Sequence, residues 1–142
     1  MGSTFDAIRD IAASGLAAQR LRAQLVASNI ANAETTRTPQ GGPFRKKDAI
    51  FRTALLGQTS DGMPITGVQV AEIHPSDEPF ITKYDPSHPD ADANGIVQYP
   101  NVNPVDEMVN MTEAARSYDA NIAVVKAVRT MELSAQDLLR VT

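Results

Sequence analysis

Asn103-Pro104-Val105-Asp106-Glu107-Met108-Val109-Asn110-Met111 is the stretch that decides the architecture. Asn103 is a good helix N-cap and Pro104 suits the first helical position. Asp106 and Glu107 place negative charge in the first turn. From there an apolar stripe at three- and four-residue steps runs through Met108, Met111, Ala115, Tyr118, Ile122, Val125 and Val128, then through Ala135 and Leu138. As one helix, residues 104–140 span about 55 Å.

Working outward, the other end of the chain matches it. Residues 5–33 hold no Pro and a single Gly, and apolar or small side chains recur at Phe5, Ile8, Ile11, Ala12, Gly15, Ala18, Leu21 and Leu25. Ser3 or Thr4 can cap this helix, and Asp6 and Asp10 suit its positive end. Its length is about 40 Å. Two such helices do not fit inside a ball whose radius of gyration is about 15 Å. They are therefore expected to pair as an elongated coiled-coil-like hairpin, with Ala12, Gly15, Ala18, Ala115 and Ala135 letting the backbones approach.

Between the helices lie eight of the nine prolines and six of the eight glycines. Residues 44–51, 68–73, 80–84 and 96–99 read as short strands, and Asn94-Gly95 is a turn signal before the last. The expected fold is mainly α with a small β-rich insert.

Composition excludes several classes. The 142 residues carry a net charge of −4, with 5% aromatics, no Trp and no Cys. Thiol chemistry and disulfides are out. No apolar run approaches the ~20 residues of a membrane span, so no transmembrane segment is expected. Asp6, Arg9, Asp10, Arg20 and Arg22 interrupt any signal-peptide core. The acidic balance opposes nucleic-acid binding, and Arg45-Lys46-Lys47, the one basic cluster, reads as a solvated strand face or a contact with an acidic neighbour.

Candidate chemical sites are weak. Asp90-Ala-Asp92-Ala-Asn94-Gly95 opens like a calcium loop, but its twelfth position is Asn101 rather than Glu. His74 and His88 both precede Pro, and their spacing to Asp77, Asp85 or Asp90 matches no ligand pattern. A Ser/His/Asp triad can be assembled from Ser76, His88 and Asp85, but any chain of this composition offers as much, and there is no nucleophile elbow. No metal, no cofactor and no catalysis are expected. Asn110-Met111-Thr112 is a glycosylation sequon, discounted inside a helix. Asn29, Asn32, Asn110 and Asn121 have two readings, plain surface residues or register-setting hydrogen bonds between packed helices.

The segment 14–33, ending Ser28-Asn29-Ile30-Ala31-Asn32-Ala33, resembles the N-terminal motif of flagellar rod, hook and hook-associated proteins. The block Tyr99-Pro100-Asn101-Val102-Asn103-Pro104, continuing through Asp106, Glu107, Met108, Asn110 and Met111, is more specific. With Arg116-Ser117-Tyr118-Asp119-Ala120-Asn121 it resembles the basal-body rod subunits of that family. Pro43-Phe-Arg-Lys-Lys, Gly67-Val-Gln-Val, Pro79-Phe, Tyr84-Asp-Pro and Ala91-Asp agree. Only Glu34–Gly42 departs from the usual turn after the N-terminal motif.

The resemblance implies a structural subunit of the proximal rod, exported by the flagellar type III apparatus without a cleavable signal peptide and assembled in the periplasm. Residues 1–36 and 101–142 would form a helical axial-core domain, and 37–100 a β-rich or irregular middle. Implied partners are copies of itself, neighbouring rod proteins, ring or export-gate components at the rod base and the export machinery. The expected assembly interface is Ile8, Ile11, Ala18, Leu21, Leu25, Asn29 and Asn32 on the first helix. On the second it is Met108, Met111, Ala115, Tyr118, Asn121, Ile122, Val125, Val128 and Leu138. Termini are expected inside the tube and the middle outside.

Overall fold

The computed structural model describes residues 4–59 and 62–140. Helix α1 spans Thr4–Ala31. Four strands follow: β1 Lys47–Gln58, β2 Pro64–Pro75, β3 Ile81–Tyr84 and β4 Ile96–Tyr99. Helix α2 spans Pro104–Arg140. The Val105 N–H donates to Asn103 Oδ1 at 3.0 Å, so Asn103 caps α2. Ser3, one of the two caps expected for α1, lies outside the described residues.

A mainly α chain with a small insert is not what forms. Helices make up 48% of the described residues and strands 24%, so the fold is α+β. The middle comprises two separate two-stranded antiparallel sheets, β1–β2 and β3–β4. β1 and β2 are twelve residues each rather than short. Register shifts at Ile50/Phe51 and at Leu55/Gly57 explain the underestimate. Each bulge flips the side-chain alternation, which hides a long strand from a period-two reading.

The helices pack antiparallel, but not as an isolated pair, because α1 also packs on β1 and β2. Physical chemistry demands a third layer. The apolar core consists mostly of alanine and valine, at Ala12, Ala18, Val26, Val97, Val102, Ala114 and Val128. Such a seam lets backbones approach but buries little area.

The hairpin β1–β2 runs back along α1 and is tied to it at two points. Lys47 meets Asn29, and the Val68 N–H donates to Ser14 Oγ at 3.1 Å. From Asn29 to Ser14 is about 22 Å of helix. From Lys47 to Thr53, the cross-strand partner of Val68, is about 20 Å of strand. The rises match, so the hairpin lies alongside the helix. Gly67 permits the contact, since a Cβ there would stand 2.5 Å from Ser14 Oγ and 2.6 Å from Leu56 Cδ1.

Candidate assembly site

Where the C-terminal end of α1, the start of β1 and the first turn of α2 meet, the molecule buries polar groups beside apolar Val26. Asn29 is 0% exposed and Glu107 1%. Asn29 Nδ2 donates to the Lys47 carbonyl and to Glu107 Oε2, each at 2.9 Å. The Lys47 N–H donates back to Asn29 Oδ1 at 2.9 Å. Both amide donors and the amide oxygen are thereby used. Glu107 Oε1 pairs with Lys46 Nζ at 3.1 Å and accepts from Asn110 Nδ2 at 3.4 Å. Asn110 Oδ1 in turn accepts from Arg22 Nη2 at 3.2 Å, and Arg22 also pairs with Glu113.

The pKa of Lys46 follows from this arrangement. Burial alone would lower it. The hydrogen bond to Glu107 and the negative charges of Asp48, Glu107 and Glu78 outweigh burial and hold it above the ordinary lysine value. Arg45 turns away, donating to the Ser76 carbonyl at 3.0 Å with its guanidinium 4.3 Å from the centre of the Phe80 ring. Arg45 and Lys46 of the basic cluster are thus engaged within the molecule, while Lys47 is exposed.

The seam facing α1 coincides with the stripe read in the sequence at Val128, but toward the start of α2 it lies one residue round the helix, with Glu107 and Ala114 buried in place of Met108 and Ala115. Glu107, Ala114 and Val128 are its buried members, and Asn121, at the same seven-residue spacing, lies against Gly15. A Cβ on Gly15 would approach the Asn121 amide to 3.0 Å, so the helices are close together there. The stripe residues Met108, Ala115, Tyr118 and Leu138 are exposed, Met108 by 58% and Leu138 by 73%. Met111, Ile122 and Val125 are half-buried.

On α1, Ala18 and Asn29 are buried, Ile11 is exposed, and Ile8, Leu21 and Leu25 are half-buried. The Asn32 side chain makes local hydrogen bonds at the end of α1. It donates to the Ser28 carbonyl and accepts from Thr35, finishing the helix end. Met111, Ala115 and Tyr118 line a groove of about 270 Å³ with Gln19, Arg20 and Ala23 of α1. Gln19 Oε1 is buried there with no hydrogen-bond partner among the described residues.

The residues weighed for metal or catalysis have other occupations. Asp90 accepts from Thr36 Oγ1 at 2.8 Å and pairs with Arg37. Asp92 Oδ1 accepts from the Asn94 and Ile96 N–H groups, shaping the turn before β4. The Asp85 carboxyl is held below the usual carboxylate value by hydrogen bonds from the Ser87 hydroxyl and N–H. His88 packs edge-on against Tyr99.

Sequence reasoning missed Glu107 as a buried group, because Asp106-Glu107 at a helix start reads as dipole chemistry. The available signal was its seven-residue phase with Ala114, Asn121 and Val128.

This architecture can be set beside known proteins. Residues 10–37 match the family model for the flagella basal body rod protein, and residues 93–138 match the flagellar basal body rod FlgEFG protein C-terminal model. Both place the chain in the class of flagellar rod proteins. A Salmonella typhimurium relative, flagellar basal-body rod protein FlgC, is 44% identical over 92% of this chain and 95% of its own. The FlgC proteins of Borreliella burgdorferi and Bacillus subtilis are 41% and 39% identical, over 92% and 91% of this chain and 95% and 94% of theirs. The chain belongs to the FlgC family of flagellar basal-body rod proteins. Its role is structural, in the basal-body rod, and it is not an enzyme. No helix among the described residues is long and apolar enough to cross a membrane.

Proposed function

We propose that the chain is a subunit of the proximal rod that polymerises through α1 and α2 with copies of itself and with neighbouring rod proteins. In this reading it reaches the periplasm through the flagellar type III apparatus without a cleavable signal peptide. Ring or gate components meet it at the rod base. The termini line the tube as its helical domain, and residues 37–100 face outward.

The observation that carries the reading is apolar surface left uncovered on α2. Val105, Met108, Val109, Met131 and Leu138 are each more than half exposed beside a core of alanine and valine. Covering them with neighbouring chains supplies the burial that the single chain lacks. Head-to-tail contacts between unlike patches that fail to close generate a helical tube. Met108, Met111, Ala115, Tyr118, Leu138 and Ile11 are the proposed contacts. Ala18, Asn29 and Val128 act from within, by setting the shape of the helix pair.

The test is complementation of a strain lacking the gene, with Met108→Glu/Leu138→Glu. Cells carrying the double variant are expected to be non-motile, with inner-membrane rings but no rod by electron cryotomography. Full motility with complete basal bodies would refute assembly through α2.

A further inference from the structure

The polar junction does more than join three elements. Asn29 and Lys47 are near in sequence and could bond as soon as both exist. Glu107 comes 60 residues later, yet it occupies the second Nδ2 proton of Asn29 and the Lys46 ammonium together. With α2 absent, Asn29 loses a charge-assisted bond and Lys46 its buried partner. Those are the groups that fix the base of the hairpin on α1.

We propose that Glu107 is a positioning residue through which docking of α2 fixes the β1–β2 hairpin against α1. The helix pair and the hairpin then form one cooperative unit. Its other tether, Ser14 to Val68, is a single hydrogen bond between partly exposed groups, too weak to hold the hairpin by itself. Resting on the assembly reading, one consequence is that the hairpin takes its place in the rod only after the C-terminal helix has docked. The device itself does not depend on that reading.

Two amides report hairpin docking separately from hairpin formation. The Lys47 N–H is held by Asn29 Oδ1, and the Val68 N–H by Ser14 Oγ. Both acceptors are α1 side chains. The experiment is hydrogen exchange on the full chain in solution, comparing wild type, Glu107→Ala and Val128→Ala. A lost bond to a charged group corresponds to about 10-fold or more in an opening equilibrium. In Glu107→Ala both amides are expected to exchange at least ~10-fold faster. Helix amides around Ala12 and Val128, at the other end of the pair, should change far less.

In Val128→Ala all of these amides should speed up together, as a merely destabilising change requires. Should Glu107→Ala fail to fold, Glu107→Gln decides. It keeps an acceptor for Asn29 but removes the charge that pairs with Lys46, so the same selective loss is expected at smaller size. The proposal fails if the Val68 amide keeps its protection, or loses it only in step with the helix amides.

Discussion

The two ends of the helix pair are held by opposite means. At one end Asn29, Glu107 and Lys46 form a buried polar junction in which each group has a defined partner. At the other, Ala12 and Val128 are buried apolar side chains, and Arg9 pairs there with Glu132 at 3.1 Å and with Asp6. Apolar contact is non-directional, so the far end contributes attraction with little preference for register. The junction is directional. Sliding α2 by one residue would leave a buried carboxylate and a buried amide unpaired, at about 1–3 kcal/mol for each group. Register and the hairpin's placement therefore belong to the polar end, and adhesion to the apolar one.

The largest expected effect tests the adhesive end. Val128→Ala should lower global stability by about 2 kcal/mol through lost burial and a small cavity, read by denaturant unfolding. It should leave the relative protection of hairpin and helices unchanged. A selective loss in the hairpin would erase the distinction between the two ends.

Gly67→Ala probes the second tether, which lies near the apolar end at Ser14. Its Cβ would intrude on Ser14 Oγ and Leu56, so a cost of about 1–2 kcal/mol is expected. Faster exchange should be confined to Val68 and its neighbours, with the Lys47 amide still protected by the junction. Release of both amides together would mean that the Ser14 tether, not Glu107, governs docking.

The smallest effect is a pH dependence. The pKa of Lys46 is raised by folding. Its pairing therefore contributes fully below the unfolded lysine value and is lost as pH rises through the higher folded value. Stability should fall above pH ~10 more steeply in wild type than in Lys46→Met. Equal slopes in a pH series of unfolding curves would show that the ammonium adds nothing at the junction.

The legible parts of this protein were local. The Asn103 cap with Pro104, the long Pro-free termini and the Asn94-Gly95 turn are dictated by neighbouring residues, and the structure follows them. Asn29 shows where legibility stopped. A buried, register-setting role and an exposed one were equally compatible with its neighbours, because its partners lie 18 and 78 residues away. At the start of α2 the seam was displaced by one position for a related reason, while Val128 is buried as its pattern predicts. Methionine and tyrosine outweigh glutamate on any hydrophobic scale, so a pattern reading cannot place Glu107 inside and Met108 outside. Only a lysine and an asparagine delivered from other elements make that carboxylate cheaper to bury than to expose.

The sequence by itself determined the helical termini, the turn-rich middle and the likeness to flagellar rod proteins, since these rest on local conformational preference and motif. The tertiary structure alone decided the α+β balance, the length of the bulged hairpin, its course along α1 and the polar junction that anchors it. Those depend on non-local partners, and non-local partners determine which polar groups can be buried.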